Sequence, residues 1–371
     1  MFLNPTRLPH LLPPAAYYDA AHHERELELL RSSWQLVGTT SELARDGDFL
    51  TCELLGTPLL VRRMGERVVA FRNVCAHRHC RLTDARRGSS PRLRCQYHGW
   101  EYDADGRTAR IPEPKNFMPL DRDATRLDGL RVDTCGQLVF VSLASEGPSL
   151  DEQLGTLAPI CRARFGEGWA PRLACEFDYA ANWKVPIENS VEAYHVPYVH
   201  PHTFREDPGE DRSQHVLEPS HTALLSALPF SAHSRLDEWY QRADGWIVRR
   251  LGLPATRGYQ QHHVFPNLLF SFTDATSLCH VIVPTGPTTS RAIARQFGPC
   301  GTGLATRLLA GAWGRLAGAI THRILREDMR LFPAIQRGLE CSTGKGVLGR
   351  CEERIHAFQQ FMAARCPIVQ A

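Results

Sequence analysis

Two short stretches decide how this chain reads: Asn73-Val74-Cys75-Ala76-His77-Arg78 and, after 17 intervening residues, Cys95-Gln96-Tyr97-His98-Gly99-Trp100. Each carries one cysteine and one histidine, and two such pairs make a metal site by ligand count. Two metals fit. A structural zinc would take all four ligands tetrahedrally, but its usual grammar sets a Cys–Cys pair against a His–His pair, or puts two residues between partners. Here the first pair is Cys-x-His, and residues two apart in an extended segment share a face. One short loop therefore offers a thiolate to one metal and an imidazole to its neighbour. A [2Fe–2S] centre with two Cys on one iron and two His on the other needs that arrangement. Zinc stays open as the alternative. His79 and Cys80 follow directly and read as loop residues, not ligands.

The surroundings of these stretches are β-rich. Trp34-Gln-Leu-Val, Phe49 to Leu55, Leu59 to Arg63, Val68 to Phe71 and Leu138 to Val141 are short apolar runs separated by Gly and Asp. They predict a small antiparallel β domain. Ala144-Ser-Glu-Gly-Pro-Ser reads as a linker, and Tyr18 to Arg31 as a helix. Beyond the linker come a helix and a strand near Ala174 to Tyr179, then a helical stretch from Trp183. Strands follow over Gln260 to Phe272, Cys279 to Pro284 and Ser290 to Phe297. Two long helical patterns, Leu304 to Leu339 and Arg350 to Ala364, close the chain. Strands in a run followed by a long helix fit an α+β domain.

Composition narrows the function classes. The chain has 371 residues, 22% charged, with a formal net charge of +3. That is too small to imply nucleic acid or a membrane surface as partner. No run of 18 apolar residues occurs, and the first residues lack the charged and apolar regions of an export signal. The 12 cysteines are scattered, unlike a compact disulfide scaffold. The expectation is a cytoplasmic protein with reduced thiols.

The second concentration of chemistry is Asn182-Trp-Lys-Val-Pro-Ile-Glu188-Asn189-Ser-Val-Glu192-Ala-Tyr-His195-Val-Pro197-Tyr-Val-His200. Glu192 and His195, three apart, are predicted on one helix face. His195 and His200, five apart, would splay on an ideal helix, but Pro197 disrupts it and lets His200 swing in. Two histidines and a carboxylate with open positions form the facial triad of non-haem Fe(II) oxygenases. The sequence alone allows Glu192 or Glu327 as that carboxylate.

Cys95-Gln-Tyr-His-Gly-Trp-Glu-Tyr-Asp-Ala-Asp-Gly resembles the second ligand loop of Rieske oxygenases. Both ligand loops, the Asn182 to His200 block, the His263-Val-Phe-Pro-Asn-Leu strand and Glu327-Asp328…Ile-Gln336-Arg-Gly-Leu339 together resemble the Rieske non-haem iron oxygenase family, large (α) subunit of the stand-alone type. The resemblance implies Cys75, His77, Cys95 and His98 as [2Fe–2S] ligands and His195, His200 and Asp328 as Fe(II) ligands. It implies Glu192 as the link between an iron-ligand histidine of its own subunit and His98 of the partner subunit. Asn189 is expected near the iron. One departure is His79, where the family commonly has Gly.

The implied fold is α+β: a small antiparallel β Rieske domain (34–145), then a helix-grip catalytic domain (146–371) with an antiparallel sheet and long C-terminal helix. Residues 1–33 are expected to pack with the catalytic domain. The implied activity is reductive O2 activation with NAD(P)H electrons from a separate reductase or ferredoxin, in a homotrimer. No Gly-x-Gly-x-x-Gly follows a strand, as a reductase-dependent subunit predicts. Monooxygenation (hydroxylation or oxidative demethylation) of a small organic substrate is the first expectation, since stand-alone members include those acting on quaternary ammonium compounds. Aromatic cis-dihydroxylation is second, and an electron carrier or zinc-ribbon module is a distant third. Phe230, Trp239, Tyr240, Trp246, Tyr259, Phe265, Phe270 and Phe272 lie where relatives form the pocket, although a sheet core explains most of them. The ten cysteines outside the cluster are expected to be free thiols, mostly small buried hydrophobes.

Overall fold

The computed structural model describes residues 1–201, 208–227 and 235–367. It divides into two compact units, Arg31–Arg162 and Met1–Leu30 with Ala163–Ala371.

In the Arg31–Arg162 unit, the alternating apolar runs build a seven-stranded sheet in the order Gln35–Thr39, Leu138–Ser142, Gly129–Cys135, Arg67–Arg72, Thr57–Met64, Asp48–Leu54, Arg87–Ser89. A separate three-stranded sheet pairs Leu93–Arg94, Glu101–Tyr102 and Thr108–Arg110. Leu60, Phe71, Leu82, Leu93, Trp100, Tyr102 and Leu127 form one buried core with Cys75 and Cys95, so the two ligand loops grow from a packed base. The unit runs on past residue 145 to Arg162, although the Gly-Pro-Ser texture there reads as a linker. Backbone bonding explains this. Ser149 and Glu152 form a capping box on helix Leu150–Leu154. Gln153 then takes the Trp34 N–H at 2.7 Å and donates to its carbonyl at 3.2 Å, while the Trp34 indole donates to Pro148 O at 2.9 Å.

The other unit holds a seven-stranded, fully antiparallel sheet in the order Trp169–Tyr179, Thr289–Pro299, Ser277–Gly286, Leu268–Phe272, Gly258–Val264, His221–Ala227, Ser213–Glu218. On one face, Phe165, Phe270, Phe272 and Phe297 pack ring against ring at centroid distances of 5.3–6.3 Å. Helix Leu304–Met329 lies over Trp169–Tyr179 and Thr289–Pro299. It can approach because of its glycines: a Cβ on Gly314 would stand 2.4 Å from Arg172 Cδ, and one on Gly318 3.4 Å from the Leu173 Cβ.

Three local readings need correction. The Leu304 to Leu339 pattern is two helices, Leu304–Met329 and Phe332–Cys341, parted at Arg330–Leu331. Pro333, in the first turn of the second helix, lacks an N–H and its ring would clash with the Met329 carbonyl in a continuous helix. The Gln260 to Phe272 run is a hairpin bent at Phe265–Pro266, where His263 Nε2 donates to Pro266 O at 2.9 Å. The hairpin Ser213–Glu218/His221–Ala227 and the helix Arg235–Arg250 were not read from the sequence.

All 12 cysteines are free thiols. Of the ten outside the cluster loops, Cys135, Cys161, Cys279 and Cys366 are buried. Cys52, Cys80, Cys175 and Cys351 are half-buried, and Cys300 and Cys341 are exposed, so burial is less general than expected. Among the described residues no helix is long and apolar enough to cross a membrane.

Candidate metal centres

The first ligand loop is pinned by Asn73, whose amide donates to Thr83 O at 2.8 Å and accepts from Leu82 N–H at 3.0 Å. Its turn closes with Cys75 N–H on Cys80 O at 2.8 Å and His79 N–H on Cys75 O at 3.0 Å. His79 stands at φ +57°, the left-handed region that Gly enters without penalty. That explains why glycine suits this position and what its absence costs. The second loop closes in the same way, with Cys95 N–H on Trp100 O and Gly99 N–H on Cys95 O.

The four expected cluster residues meet like with like. Cys75 and Cys95 are each 2% exposed. Burial raises the Cys75 pKa, Tyr102 opposes this by donating to its Sγ at 3.0 Å, and the neighbouring Cys95 thiol adds to the rise. The His77 and His98 rings lie 4.8 Å apart. His77 is held flat on Trp100 at 4.6 Å and 3°, with Phe117 edge-on. Burial, and then the neighbouring His98, lower the His77 pKa from the usual histidine value, and its Nδ1 is buried without a hydrogen-bond partner. Two thiols on one side, two imidazoles on the other and an orphaned ring nitrogen fit a two-iron cluster better than one tetrahedral ion. Tyr102, which tunes the thiolate, was not anticipated as a cluster partner. Its only sequence signal is its place in the loop motif.

At the second site, helix Lys184–Ser190 stops before Glu192, and a short helix Val196–Val199 begins after His195. Glu192 and His195 are therefore joined by a turn, not a helix face. Pro197 falls in the first turn of the short helix, where its missing N–H is harmless; it opens a helix instead of breaking one. The contacts still form. The Glu192 carboxylate accepts from His195 Nδ1, from the Tyr194 N–H, and from the His195 N–H at 3.1 Å. Glu327 Oε2 accepts from His200 Nδ1 at 2.9 Å, and Arg323 donates to its other oxygen at 2.8 Å.

With both Nδ1 atoms engaged by outer carboxylates, both Nε2 atoms face inward. Asp328 Oδ1 lies 3.0 Å from His200 Nε2 and 3.5 Å from His195 Nε2. The three ligand atoms all fall within 4.8 Å of one another, yet Asp328 Oδ1 is buried without a hydrogen bond. This donor set fits a metal ion. Geometry separates the three candidate carboxylates: Asp328 faces the shared point, whereas Glu192 and Glu327 hold the far side of each ring. Burial would lower the His195 pKa, but Asp328 and Glu192 outweigh it and raise it to about 9 without metal. The same two histidines outweigh burial at Asp328 and depress its carboxylate. Nearby, burial pushes His280 down to about 4 against the pull of Asp328.

Asn189 sits half-buried in the last turn of helix Lys184–Ser190. Of the aromatic residues expected around a pocket, Phe270 and Phe272 belong to the phenylalanine core, and Phe265 packs on Phe358 and Phe361. Trp239 and Trp246 are exposed. Tyr259 points to Ser271 Oγ at 3.4 Å. Phe230 and the Tyr240 side chain lie outside the described residues.

Two family models match this chain, one over each part. The family model "Rieske [2Fe-2S] domain" matches residues 33–131, and "Ring hydroxylating alpha subunit (catalytic domain)" matches residues 166–368. The glycine betaine monooxygenase oxygenase subunit of Pseudomonas aeruginosa is 32% identical over 223 residues, 58% of this chain and 52% of that protein. The aligned stretch thus spans about half the length of that relative. The chloroplastic choline monooxygenase of Spinacia oleracea is 28% identical over 362 residues, 93% of this chain and 76% of that protein. A crystal structure of the quaternary ammonium Rieske monooxygenase CntA superposes with a TM-score of 0.75 at 21% identity, covering 96% of this chain and 95% of that one. At that identity the likeness speaks to the fold. The catalytic match alone takes in more than half of the chain, which therefore belongs to the ring-hydroxylating alpha subunits, with a Rieske [2Fe–2S] domain ahead of the catalytic domain.

Proposed function

We propose that this chain is the terminal oxygenase component of a Rieske-type monooxygenase that hydroxylates or oxidatively demethylates a small quaternary ammonium compound. One observation carries the reading: a single chain holds a two-Cys, two-His loop site and a second site where two Nε2 atoms and one unbonded carboxylate oxygen converge. Cys75, His77, Cys95 and His98 would hold the [2Fe–2S] cluster, and His195, His200 and Asp328 the Fe(II). Bound there, the cluster would supply single electrons and the ferrous ion would supply O2 activation.

The chain's own residues do the positioning. Glu192 and Glu327 fix the tautomers of His195 and His200, and Arg323 steadies Glu327. Tyr102 withdraws negative charge from Cys75 through its hydrogen bond. Glu192 is also the proposed electron link to His98 of the partner subunit in a homotrimer, with Asn189 close to the iron. Electrons come from NAD(P)H through a separate reductase or ferredoxin, in a cytoplasmic setting that keeps the thiols reduced. The Arg31–Arg162 unit serves the cluster, and the unit of Met1–Leu30 with Ala163–Ala371 serves the iron. The named activities of the glycine betaine and choline relatives support a quaternary ammonium substrate.

The test is turnover of the iron-loaded protein with NADH and a surrogate reductase on glycine betaine, choline and naphthalene. Formaldehyde release, or a product one oxygen heavier from an ammonium compound, supports the reading. A cis-diol from naphthalene alone replaces it with dioxygenation. Colourless, zinc-loaded protein overturns both.

A further inference from the structure

Two neighbouring polar side chains on the catalytic sheet carry buried atoms with no hydrogen-bond partner. Gln296 is 1% exposed, and neither its amide nitrogen nor its amide oxygen has a hydrogen-bond partner. His280 is 5% exposed, and its Nδ1 is likewise unpartnered. Buried polar groups are nearly always satisfied, and each exception calls for an explanation.

Strand register puts the two together. His280 lies opposite Ala294 and Leu278 opposite Gln296 across the Ser277–Gly286 and Thr289–Pro299 strands. His280 and Gln296 are therefore diagonal neighbours on one sheet face, with Cβ atoms roughly 7 Å apart. Their other lateral neighbours, Leu269 beside His280 and Leu173 beside Gln296, have no polar side-chain atoms to offer. Phe297 points to the opposite face, into the phenylalanine core. The face carrying His280 and Gln296 is the one met by the helix that carries Asp328: Phe177, opposite Ala292 on that face, packs on His322 at 5.1 Å, and the Asp328 charge reaches His280 and Tyr179. Tyr179 lies on this face, because Ala292 and Ser290 continue the alternation from Gln296.

An amide with both ends free offers an acceptor and two donors at one spot. No carboxylate is bonded to it. Such a group suits an oxygen-bearing ligand, and a saturated hydrocarbon or bare ammonium would leave it unmet.

Resting on the reaction proposed above, we propose that Gln296 and His280 form the polar end of the substrate pocket and take the oxygen group, carboxylate or hydroxyl, of the quaternary ammonium substrate. They are specificity residues: they hold the end of the molecule that is not oxidised.

The test is binding to the oxidised, iron-loaded enzyme, measured by calorimetry with glycine betaine, choline and tetramethylammonium. These share the cation and differ in the oxygen group. The wild type is expected to favour glycine betaine or choline over tetramethylammonium by about tenfold or more. Preference for the first marks a carboxylate, and for the second a hydroxyl. Gln296→Leu should bring that ratio down to within about threefold. It should also melt no lower than wild type, because the amide it replaces has no protein partner, and keep the visible absorption of the cluster. If Gln296→Leu does not fold, Gln296→Met, unbranched like Gln, takes its place. A wild type that prefers neither compound, or a variant that keeps the wild-type preference, overturns the assignment. The reaction can fail separately. Preference lost in the variant with no turnover by wild type refutes the proposed reaction and leaves this site standing, whereas turnover with an unchanged KM in Gln296→Leu refutes the site alone.

Discussion

Removing the Glu327 carboxylate should loosen the mononuclear metal without touching the cluster, by an amount that the surroundings of His200 set. Glu327 Oε2 is the acceptor for His200 Nδ1 at 2.9 Å, and the His200 side chain is only 2% exposed. Water is therefore poorly placed to replace the bond. Glu327→Ala loses a hydrogen bond to a charged group, about 1.5–3 kcal/mol, which corresponds to roughly 10- to 150-fold in metal affinity. That agrees with the effect expected when the outer partner of a metal-bound histidine is removed. Glu327→Gln keeps an acceptor but not the charge, and a neutral bond is about half as strong. Its loss should be roughly fivefold. Arg323 reaches Glu327 from a side chain 56% exposed, so Arg323→Ala should stay within about threefold. The assay is competition for Fe(II) or Co(II) against a chelator under anaerobic conditions, with visible absorption reporting the cluster. The order Ala, then Gln, then the Arg323 variant is the signature. Wild-type affinity in Glu327→Ala, or equal losses in all three, would refute the claim that this carboxylate orients His200.

Other predictions follow from the same geometry. His79→Gly should raise the unfolding midpoint of the holoprotein by relieving a left-handed backbone worth about 1 kcal/mol; a lower midpoint would mean that the His79 ring contributes more than its backbone costs. Tyr102→Phe removes the donor to Cys75 Sγ, destabilising the more negative reduced cluster. Its potential should fall by roughly 50 mV, one hydrogen bond converted at 59 mV per tenfold, and redox titration showing no shift or a rise contradicts this. His215, His262 and His263 are pushed down to about 4, 3 and 3, by burial first, with buried Arg354 adding to each. Their folded pKa values lie below the unfolded value of about 6.5, so the unfolded chain binds more protons between those limits. Stability is then full above pH 6.5 and falls as pH drops toward 4, by roughly 4 kcal/mol between pH 7.5 and 5.5 for the three together. Urea unfolding that is flat across that window would show these rings are not held neutral.

How far the sequence carried depended on chain distance. The Cys75–His77 and Cys95–His98 pairs are local, so their spacing alone limited what metal they could hold. Glu192 reaches His195 across three residues, and that contact survives even though a turn, not a helix, makes it. The Glu327–His200 bond spans 127 residues, and no periodicity could say which of two adjacent acids would take the inner position. Similarly, buried Lys184 meets Glu26 at 2.6 Å across 158 residues; a lone lysine in an apolar stretch gives no hint of its partner. The aromatic residues were legible as apolar but not by face, since a strand's inner and outer sides depend on register with neighbours. The break at Arg330 was legible in Pro333 and outweighed by the amphipathic pattern around it.

Glu327 and Asp328 are consecutive residues near the end of one helix, so their side chains leave the axis about 100° apart. Which acid meets the histidines is therefore a question of angular phase. That phase is set far up the helix. Gly314, where a Cβ would stand 2.4 Å from Arg172 Cδ, precedes Asp328 by nearly four whole turns and so lies close to the same azimuth. A bulkier residue there must either push aside the Arg172 side chain, which is bonded to Pro299 O at 2.8 Å, or make the helix rotate or lift, and a modest rotation at that seat would arrive at the site as a misaimed carboxylate. Gly314 thus acts as an index mark for the proposed iron ligand. A substitution well away from either metal would then show itself as weakened iron binding in a protein whose cluster and fold are otherwise intact.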